Sequence, residues 1–299
     1  MGVRGDIGEV AGGGIPHEAT LGRPVCYRGI GLHTGKEINM ALLPAEEGTG
    51  IVFVRKDLRG EPRIKACLAN VVDATRCTTI GIGAGGEGTE RGEGAAVKTV
   101  EHLLAALSAL GVDNCIVELD GPEVPMGDGS AAEFVRLIYE AEVVPQASRR
   151  RVLALAEPLW VQDGDRMVLA LPWDGFRVGF VFVGPYPCMG EQHVEFEVDA
   201  KTFPRELAPA RTIAFLTEVE GLRRAGLGLG GAADSVVLAS EEGYAGPLRF
   251  PDEAARHKTL DIIGDMALVG CLHAHVIGIK SNHSMNHKLA RAIAKAVNL

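Results

Sequence analysis

The sequence lacks long apolar runs, paired cysteines and extended basic segments, and each absence excludes a class of protein. No apolar stretch reaches the length of about 18 residues that a transmembrane helix requires, and the N-terminus has no secretory signal pattern. The six cysteines are scattered, without the spacing of a disulfide framework. The formal net charge is -9, so nucleic acid is not an expected partner. We therefore expect a cytoplasmic protein without a transmembrane segment.

What remains is the composition of an ordinary globular protein, with 46% hydrophobic and 23% charged residues. A chain of 299 residues is long enough for two modest domains with buried cores. Residues 1–16 contain six glycines and little apolar content, which predicts a disordered tail. The segment 145–151 ends in three arginines and is the best candidate for a linker. We therefore predict domain I at 17–145 and domain II at 146–299.

Each predicted domain has strand-like runs first and helices later. In domain I we predict strands at 25–32, 38–43, 51–54 and 114–119, and helices at 100–110, with Thr99 as N-cap, and at 130–142. In domain II we predict strands at 152–161, 167–171, 178–183, 236–239 and 274–279, and helices at 216–224, around His257 and at 285–297. Irregular chain is expected at 71–98 and 184–215. This order predicts an α+β fold with β-sheets layered against α-helices.

One predicted helix carries polar groups along a single face. His257, Asp261 and Asp265 follow one another at intervals of four residues, beside apolar positions. Side chains one turn apart on a helix can bind one ion, and an imidazole with a carboxylate suits zinc or another divalent transition metal. The alternative is a His–Asp ion pair on a half-exposed helix. A metal would need a third ligand from elsewhere in the chain.

Glu101 and His102, at the start of the helix predicted at 100–110, can complete such a site. His102 lies just outside the leucine stripe of that helix. The alternative for Glu101 is a helix-start role, because a carboxylate is favoured in the first turn. Two imidazoles and one carboxylate leave a coordination position open, as catalytic zinc sites require. Glu101 is then the expected general base for a water molecule at the metal.

Hydrolysis of an amide also requires a proton for the leaving nitrogen. His283, just before the last predicted helix, is the candidate, because a loop position leaves its ring free to face a cleft. Asp265 can orient or charge this imidazole. The alternative is a loop histidine without a role, and we expect no role for His33 and His287.

Several motifs occur in one order along the chain. They are 29–35 (GIGLHTG), 99–103 (TVEHL), 124–131 (VPMGDGSA), 210–212 (ART), 257–265 (HKTLDIIGD) and 280–283 (KSNH). Together they resemble the motif set of UDP-3-O-acyl-N-acetylglucosamine deacetylases, over a match from about Thr20 to Ala292. Any one of these motifs alone would be weak, but the ordered set is highly specific.

The resemblance implies a cytoplasmic zinc hydrolase. Its substrate would be UDP-3-O-(3-hydroxyacyl)-N-acetylglucosamine, from which it removes acetate in the committed step of lipid A and lipopolysaccharide synthesis. His102, His257 and Asp261 would bind Zn²⁺, with Fe²⁺ as an alternative metal. Metal-bound water would attack the acetamide carbonyl with Glu101 as general base.

The resemblance also implies roles for residues around the metal. His283, paired with Asp265, would be the general acid or an electrostatic stabiliser. Thr212 would bind the tetrahedral oxyanion, and Lys258 would contact the substrate. The fold would have two similar domains with the active site between them, and an insert at about 184–215 would form an acyl passage. We expect the protein to be a monomer.

The chain departs from the usual family pattern at three places. Asn282 replaces a glycine before the catalytic histidine, Ile213 replaces an aromatic residue, and an Asp-Phe-x-His-Pro pattern is missing around 184–187. Cys77 corresponds to a position where some family members have a thiol near the site. Two alternatives stay open. The same ligand set describes a mononuclear iron oxygenase, and the fold can serve as a non-catalytic, metal-stabilised nucleotide-sugar-binding module.

Overall fold

The structure is a computed structural model that describes residues 17–83, 94–232 and 235–299. The disordered tail predicted at 1–16 lies outside the described residues. Within the described ranges, no helix is both long and apolar enough to cross a membrane.

Every predicted strand and helix has a counterpart in the structure, but the strand predicted at 152–161 is two separate strands, and further strands occur where none was predicted. The strands are β1 (His17–Leu21), β2 (Val25–Ile30), β3 (Glu37–Pro44), β4 (Ile51–Arg55), β5 (Arg63–Lys65), β6 (Val71–Asp73), β7 (Thr79–Ile82), β8 (Ala95–Val97), β9 (Cys115–Leu119), β10 (Val143–Arg149), β11 (Val152–Ala154), β12 (Leu159–Asp163), β13 (Arg166–Leu171), β14 (Phe176–Val183), β15 (Glu191–Glu197), β16 (Ile213–Phe215), β17 (Val237–Ser240), β18 (Gly243–Tyr244) and β19 (Cys271–Ile279). The helices are α1 (Glu101–Ala109), α2 (Ala132–Ala141), α3 (Leu216–Arg224), α4 (Glu253–Met266) and α5 (His283–Ala296). Helix α3 has the predicted bounds, and α1, α2 and α5 differ from theirs by no more than about two residues, the usual uncertainty of a helix end.

The two largest sheets share one strand order. The first is β2-β3-β9-β4-β5, and the second is β12-β13-β19-β14-β15, with β11 added alongside β19. In each sheet a late strand lies between two hairpins, antiparallel to the first hairpin and parallel to the second. The predicted α+β fold is therefore confirmed. The bounds of the two domains stay a prediction.

Apolar patterning explains how the helices come to lie beside the sheets. Strand β3 buries Ile38, Met40 and Leu42 while Glu37 is exposed, which is the period of two that a one-sided strand requires. Helix α1 is buried along almost its whole length, so it has no solvent face to offer. It packs against α4, and α4 also packs against α5 and β14. Buried residues from both large sheets form one continuous hydrophobic core around these helices.

Three predictions of irregular or unpaired chain are wrong. Most of the proposed linker at 145–151 belongs to β10, which pairs antiparallel with β1. Residues 71–98 contain the small sheet β6-β7-β8, and residues 184–215 contain β15 and β16. In the linker, the strand partner lies more than 100 positions away in the sequence, so local composition carries no sign of the pairing.

Thr99 does not cap α1 as predicted. Its backbone has a φ of 57°, whereas an N-cap residue adopts the extended region, and α1 begins two residues later at Glu101. The Thr99 hydroxyl instead donates a hydrogen bond to Glu123 Oε1 at 2.8 Å. The long-range contact therefore replaces the local one.

Candidate active site

The first turn of α1 lies directly against α4, and Gly264 makes this contact possible. A Cβ added at Gly264 would lie 2.8 Å from the Cα of Glu101 and even closer to its carbonyl group. Only hydrogen fits in this space, so glycine lets the two helices approach. The contact brings Glu101 and His102 beside the polar face of α4, and both side chains are buried.

His102, His257 and Asp261 converge on one point. Their potential ligand atoms all lie within 4.8 Å of one another. Asp261 Oδ1 lies 3.4 Å from His257 Nε2 and 3.7 Å from His102 Nε2, and the two imidazole rings meet edge to face at 5.0 Å. Two ligands that bind zinc tetrahedrally at about 2.0–2.1 Å are separated by about 3.3 Å, so these distances suit a shared ion.

The protonation states of the three groups also suit a cation. Burial lowers the pKa of His102 to about 3, with His257 acting in the same direction. Burial lowers the pKa of His257 as well, so both rings are neutral near pH 7. Burial opposes the charge of Asp261, but the ammonium group of Lys258 holds the pKa of its carboxyl well below the usual range.

Two hydrogen-bonding details support the same fit. His257 Nδ1 lies 3.1 Å from the carbonyl oxygen of Ala210; donation to this oxygen leaves Nε2 as a lone-pair donor facing Asp261. Asp261 Oδ1 is buried without a hydrogen-bond partner among the described residues, which is costly for a carboxylate unless a cation is present. The donor set therefore fits a divalent metal.

Glu101 also lies close to Asp261. One of its oxygens belongs with Asp261 and His283 to a second group of potential ligand atoms, also within 4.8 Å of one another. Glu101 Oε2 accepts a hydrogen bond from the backbone N–H of Thr78 at 3.0 Å. Burial raises the pKa of Glu101 to about 8, although the charge of His283 opposes this shift. A carboxyl group in this environment can both accept and return a proton near neutral pH.

His283 occupies the first position of α5 and points into the same site. The side chain of Asn282 caps this helix by accepting a hydrogen bond from Met285 N–H at 3.1 Å. His283 Nδ1 lies 2.9 Å from Asp265 Oδ2, and its Nε2 lies 3.8 Å from Asp261 Oδ2. Burial disfavours its charge, but Asp265 outweighs burial and raises the pKa of His283 to about 9. The ring is therefore a cation near pH 7, and its Nε2 faces the carboxylate of Asp261.

Asp265 is held by more groups than the sequence suggested. Besides His283, it accepts a hydrogen bond from Thr78 Oγ1 at 2.5 Å and from Asn286 Nδ2 at 2.9 Å, and His287 Nε2 lies 3.1 Å away. The positions of Asn286 and His287, three and four residues after His283 on one helix, were the available signal. Thr78 left no such signal, because its partners are distant in sequence.

Three further predicted residues lie around this centre. Lys258 Nζ donates to Asp261 Oδ2 at 2.8 Å, so its ammonium group contacts a proposed ligand directly. Thr212 lies two residues after Ala210 and lines an adjacent cavity. Cys77 is buried, and burial raises the pKa of its thiol to about 12, so it is neutral near pH 7.

The adjacent cavity has a volume of about 280 Å³ and is mostly apolar. Its apolar wall comes from α3, β16, β17 and neighbouring loops, with the side chains of Leu32, Ile213, Val219, Leu222, Val236 and Leu238. His33, Arg76, Thr212 and Arg223 are its polar lining. His33, for which we expected no role, is therefore one of the residues that line this cavity. Most of the lining lies beyond 184–215, and the insert expected there stays a prediction.

Comparisons with known proteins agree with the motif resemblance. Residues 18–295 match the family model described as LpxC, UDP-3-O-acyl N-acetylglycosamine deacetylase. A protein of Syntrophotalea carbinolica named UDP-3-O-acyl-N-acetylglucosamine deacetylase is 44% identical over 280 residues, which cover 93% of this chain and 87% of the relative. Proteins of the same name from Acidithiobacillus ferrooxidans and Myxococcus xanthus are 43% and 40% identical, over 92% and 93% of this chain and 89% and 86% of their own.

Proposed function

Because the chain belongs to the UDP-3-O-acyl N-acetylglycosamine deacetylase family, we propose that it hydrolyses the acetamide of a UDP-linked, 3-O-acylated N-acetylglucosamine. This is a deacetylation in lipid A synthesis. One observation carries the assignment: two neutral imidazoles and a carboxylate meet at a buried point, with a basic carboxyl and a cationic imidazole beside it. These groups suit metal-assisted hydrolysis of an amide, which uses a Lewis acid, a base for the attacking water and a proton donor for the leaving nitrogen.

The proposed metal ligands are His102, His257 and Asp261. Zn²⁺ suits two nitrogen donors and one oxygen donor, and Fe²⁺ is the alternative for the same set. When bound, such an ion acidifies water and polarises a carbonyl oxygen. Lys258, by hydrogen bonding to Asp261 Oδ2, leaves Oδ1 as the free donor atom.

Glu101 is the proposed general base. Its carboxylate would take the proton of the attacking water, and the N–H of Thr78 would hold one carboxylate oxygen in place during this transfer. Because burial disfavours the ionised form, transfer of a proton to Glu101 is easier than to an exposed glutamate.

His283 is the proposed general acid or electrostatic stabiliser. Asp265 binds its Nδ1 and keeps the ring charged, so Nε2–H can donate to the leaving nitrogen or stabilise the developing oxyanion. Thr212 is the proposed hydrogen-bond donor to the oxyanion from the cavity side, and Lys258 is the proposed substrate contact. The apolar cavity beyond Thr212 would take the acyl chain, because its lining is mostly apolar and includes Thr212 itself.

We further propose that the protein acts as a cytoplasmic monomer. All proposed metal-binding and proton-transfer groups come from one chain, so the site needs no residue of a second copy. Sedimentation of the purified protein in the presence of substrate tests the monomer, and a stable dimer would refute it.

The deciding experiment is acetate release from UDP-3-O-(3-hydroxyacyl)-N-acetylglucosamine, with the metal content measured on the same sample. Apoprotein reconstituted with Zn²⁺ or Fe²⁺ identifies the metal that supports turnover. His257→Ala should lose metal and activity together, whereas His193→Ala, at an exposed position of β15, should retain both. A folded, metal-loaded protein that releases no acetate from substrates of several acyl lengths would refute the proposal.

A further inference from the structure

Glu123 is a buried carboxylate that joins two segments around the proposed site. Its side chain is fully buried. Oε1 accepts hydrogen bonds from the backbone N–H of His33 and the hydroxyl of Thr99, both at 2.8 Å. Oε2 accepts hydrogen bonds from the backbone N–H of Thr34 at 2.8 Å and from its hydroxyl at 2.7 Å. The carboxylate therefore uses both oxygens to connect the loop after β2 with the chain that enters α1.

On the α1 side, Glu123 holds a residue in an unfavourable backbone conformation. Thr99 has a φ of 57°, which few β-branched residues adopt, because Cβ then crowds the backbone. The surrounding chain is held by two backbone hydrogen bonds, from Lys98 N–H to the Pro122 carbonyl at 2.9 Å and from Val124 N–H to the Lys98 carbonyl at 3.1 Å. Thr99 lies two residues before Glu101, so its φ sets the direction in which α1 starts.

On the loop side, Glu123 supports one wall of the apolar cavity. Gly31 lies so close to the carboxylate that an added Cβ would clash with Glu123 Oε2. The other side of the loop contacts the glycine-rich chain after α3, through hydrogen bonds from Gly230 N–H to the Leu32 carbonyl at 3.0 Å and from Gly228 N–H to His33 Nδ1 at 3.4 Å. The position of this cavity wall therefore depends on the hydrogen bonds that Glu123 accepts from the backbone N–H groups of His33 and Thr34.

We propose that Glu123 is a positioning residue for the deacetylation, which acts by holding Thr99 at positive φ and the 31–35 loop against the cavity. This inference rests on the proposed function, because kcat and KM can be measured only if the protein catalyses the proposed reaction. Through Thr99 it sets where Glu101 and His102 project, and through His33 and Thr34 it sets the cavity wall. A single carboxylate thereby aligns the metal-binding end of α1 with the surface proposed to hold the acyl chain.

Glutamine is a stringent replacement at this position. Each carboxylate oxygen faces one backbone N–H, that of His33 or that of Thr34. Either orientation of the Glu123→Gln amide therefore directs its NH₂ group at a backbone N–H of the 31–35 loop, and this repulsion displaces the side chain from the loop and from Thr99 together. The volume of the side chain is unchanged, so a cavity does not contribute to the effect.

The test is a cycle of Glu123→Gln, Thr99→Gly and the double variant. Glycine adopts positive φ without strain, so it removes the need for the carboxylate on the α1 side. We expect Glu123→Gln to lower kcat about tenfold to a hundredfold, as for a displacement of reacting groups by about 1 Å. Adding Thr99→Gly should recover most of kcat but leave KM for the acylated substrate raised, because the loop side is not repaired. Glu118→Gln, at a partly exposed position of the central strand β9 beside Lys56, is the matched control and should leave kcat and KM unchanged.

A readout without turnover separates this inference from the proposed reaction. Co²⁺ bound in place of the native metal reports ligand geometry through its visible spectrum. The spectrum should change in Glu123→Gln and return toward wild type in the double variant, whether or not acetate is released. Inactive wild-type protein would refute the proposed function alone. An unchanged spectrum and unchanged kcat in Glu123→Gln, or a double variant no better than the single one, would overturn the positioning role.

If Glu123→Gln does not fold, Thr99→Val and Thr99→Gly decide the matter. Valine keeps the shape and the strain of Thr99 but removes its hydrogen bond to Glu123. Thr99→Val should therefore show lower kcat and an altered Co²⁺ spectrum, while Thr99→Gly stays close to wild type. Equal behaviour of the two variants would overturn the proposal.

Discussion

Replacing Gly264 by alanine is the most direct test of how the helices assemble the site. The added Cβ would lie 2.8 Å from the Cα of Glu101, whereas an ordinary contact needs about 3.4–4 Å. The carbonyl oxygen of Glu101 is closer still, so α1 and α4 must separate by about 1 Å. His102 lies on α1, and His257 and Asp261 lie on α4, so the separation acts directly on the three proposed ligands.

The expected loss is substantial. A displacement of about 1 Å costs on the order of a hundredfold in turnover, which equals about 2.7 kcal/mol in the activation free energy. Forcing a methyl group into a packed helix contact should also cost about 1–3 kcal/mol of unfolding free energy. Metal affinity should fall together with turnover, because the same movement separates the ligands.

The assay combines metal titration, acetate release and thermal unfolding of Gly264→Ala and Gly221→Ala. Gly221 is also a helical glycine, in α3, but an added Cβ would meet nothing within 4 Å. Alanine should therefore stabilise that helix by up to about 1 kcal/mol and leave metal affinity unchanged. If Gly264→Ala binds metal and turns over like the wild type, the close approach of α1 and α4 does not assemble the site, and our reasoning is refuted.

Three further predictions concern the proposed general base, the bound metal and a buried ion pair. Glu101→Gln should lower kcat at least about a hundredfold while metal content stays normal, and loss of metal would show that Glu101 is itself a ligand. Chelation should lower the melting temperature of the wild type but not that of His257→Ala. At a metal concentration 1,000 times Kd, bound metal contributes about 4 kcal/mol to the free energy of unfolding, and chelation removes this contribution. Burial favours the neutral form of Glu253, but Arg211 and two backbone N–H groups outweigh burial and lower the pKa of its carboxyl. The ionised form therefore stabilises the fold above about pH 4.5, and this contribution disappears as the pH falls through the lowered pKa of the folded state. Melting curves of Glu253→Gln should show a loss of about 3 kcal/mol at pH 7 that shrinks toward pH 3, and a constant difference would contradict the assignment.

The local sequence pattern was sufficient to predict most of the helices and to place the polar residues of α4 on one helix. The bounds of α3 could be predicted, and the interval of four residues was enough to place His257 and Asp261 on one helix face. The family could also be identified, because its motifs are short, contiguous and ordered. These features depend on neighbours in sequence, where side-chain periodicity and backbone preference act directly.

Contacts between distant segments could not be predicted in the same way. The strand character of β10 depends on β1, and the support of Asp265 depends on Thr78, which lies 187 positions away. Threonine is a residue type that is favoured at the N-cap, yet the hydroxyl of Thr99 donates a hydrogen bond to Glu123 and its backbone adopts positive φ. In each case a polar group had several possible partners, and burial selected the distant one.

The sequence by itself determined the α+β class, the family, most helices and the residue types available for metal binding and proton transfer. Only the tertiary structure decided that α1 approaches α4 at Gly264, that Asp261 Oδ1 is left without a hydrogen bond among the described residues, and that an apolar cavity lies beyond Thr212. The physical reason is that periodicity acts within a few residues of the chain. Close packing, desolvation and the pKa values that follow from them depend on segments that meet only in the folded protein.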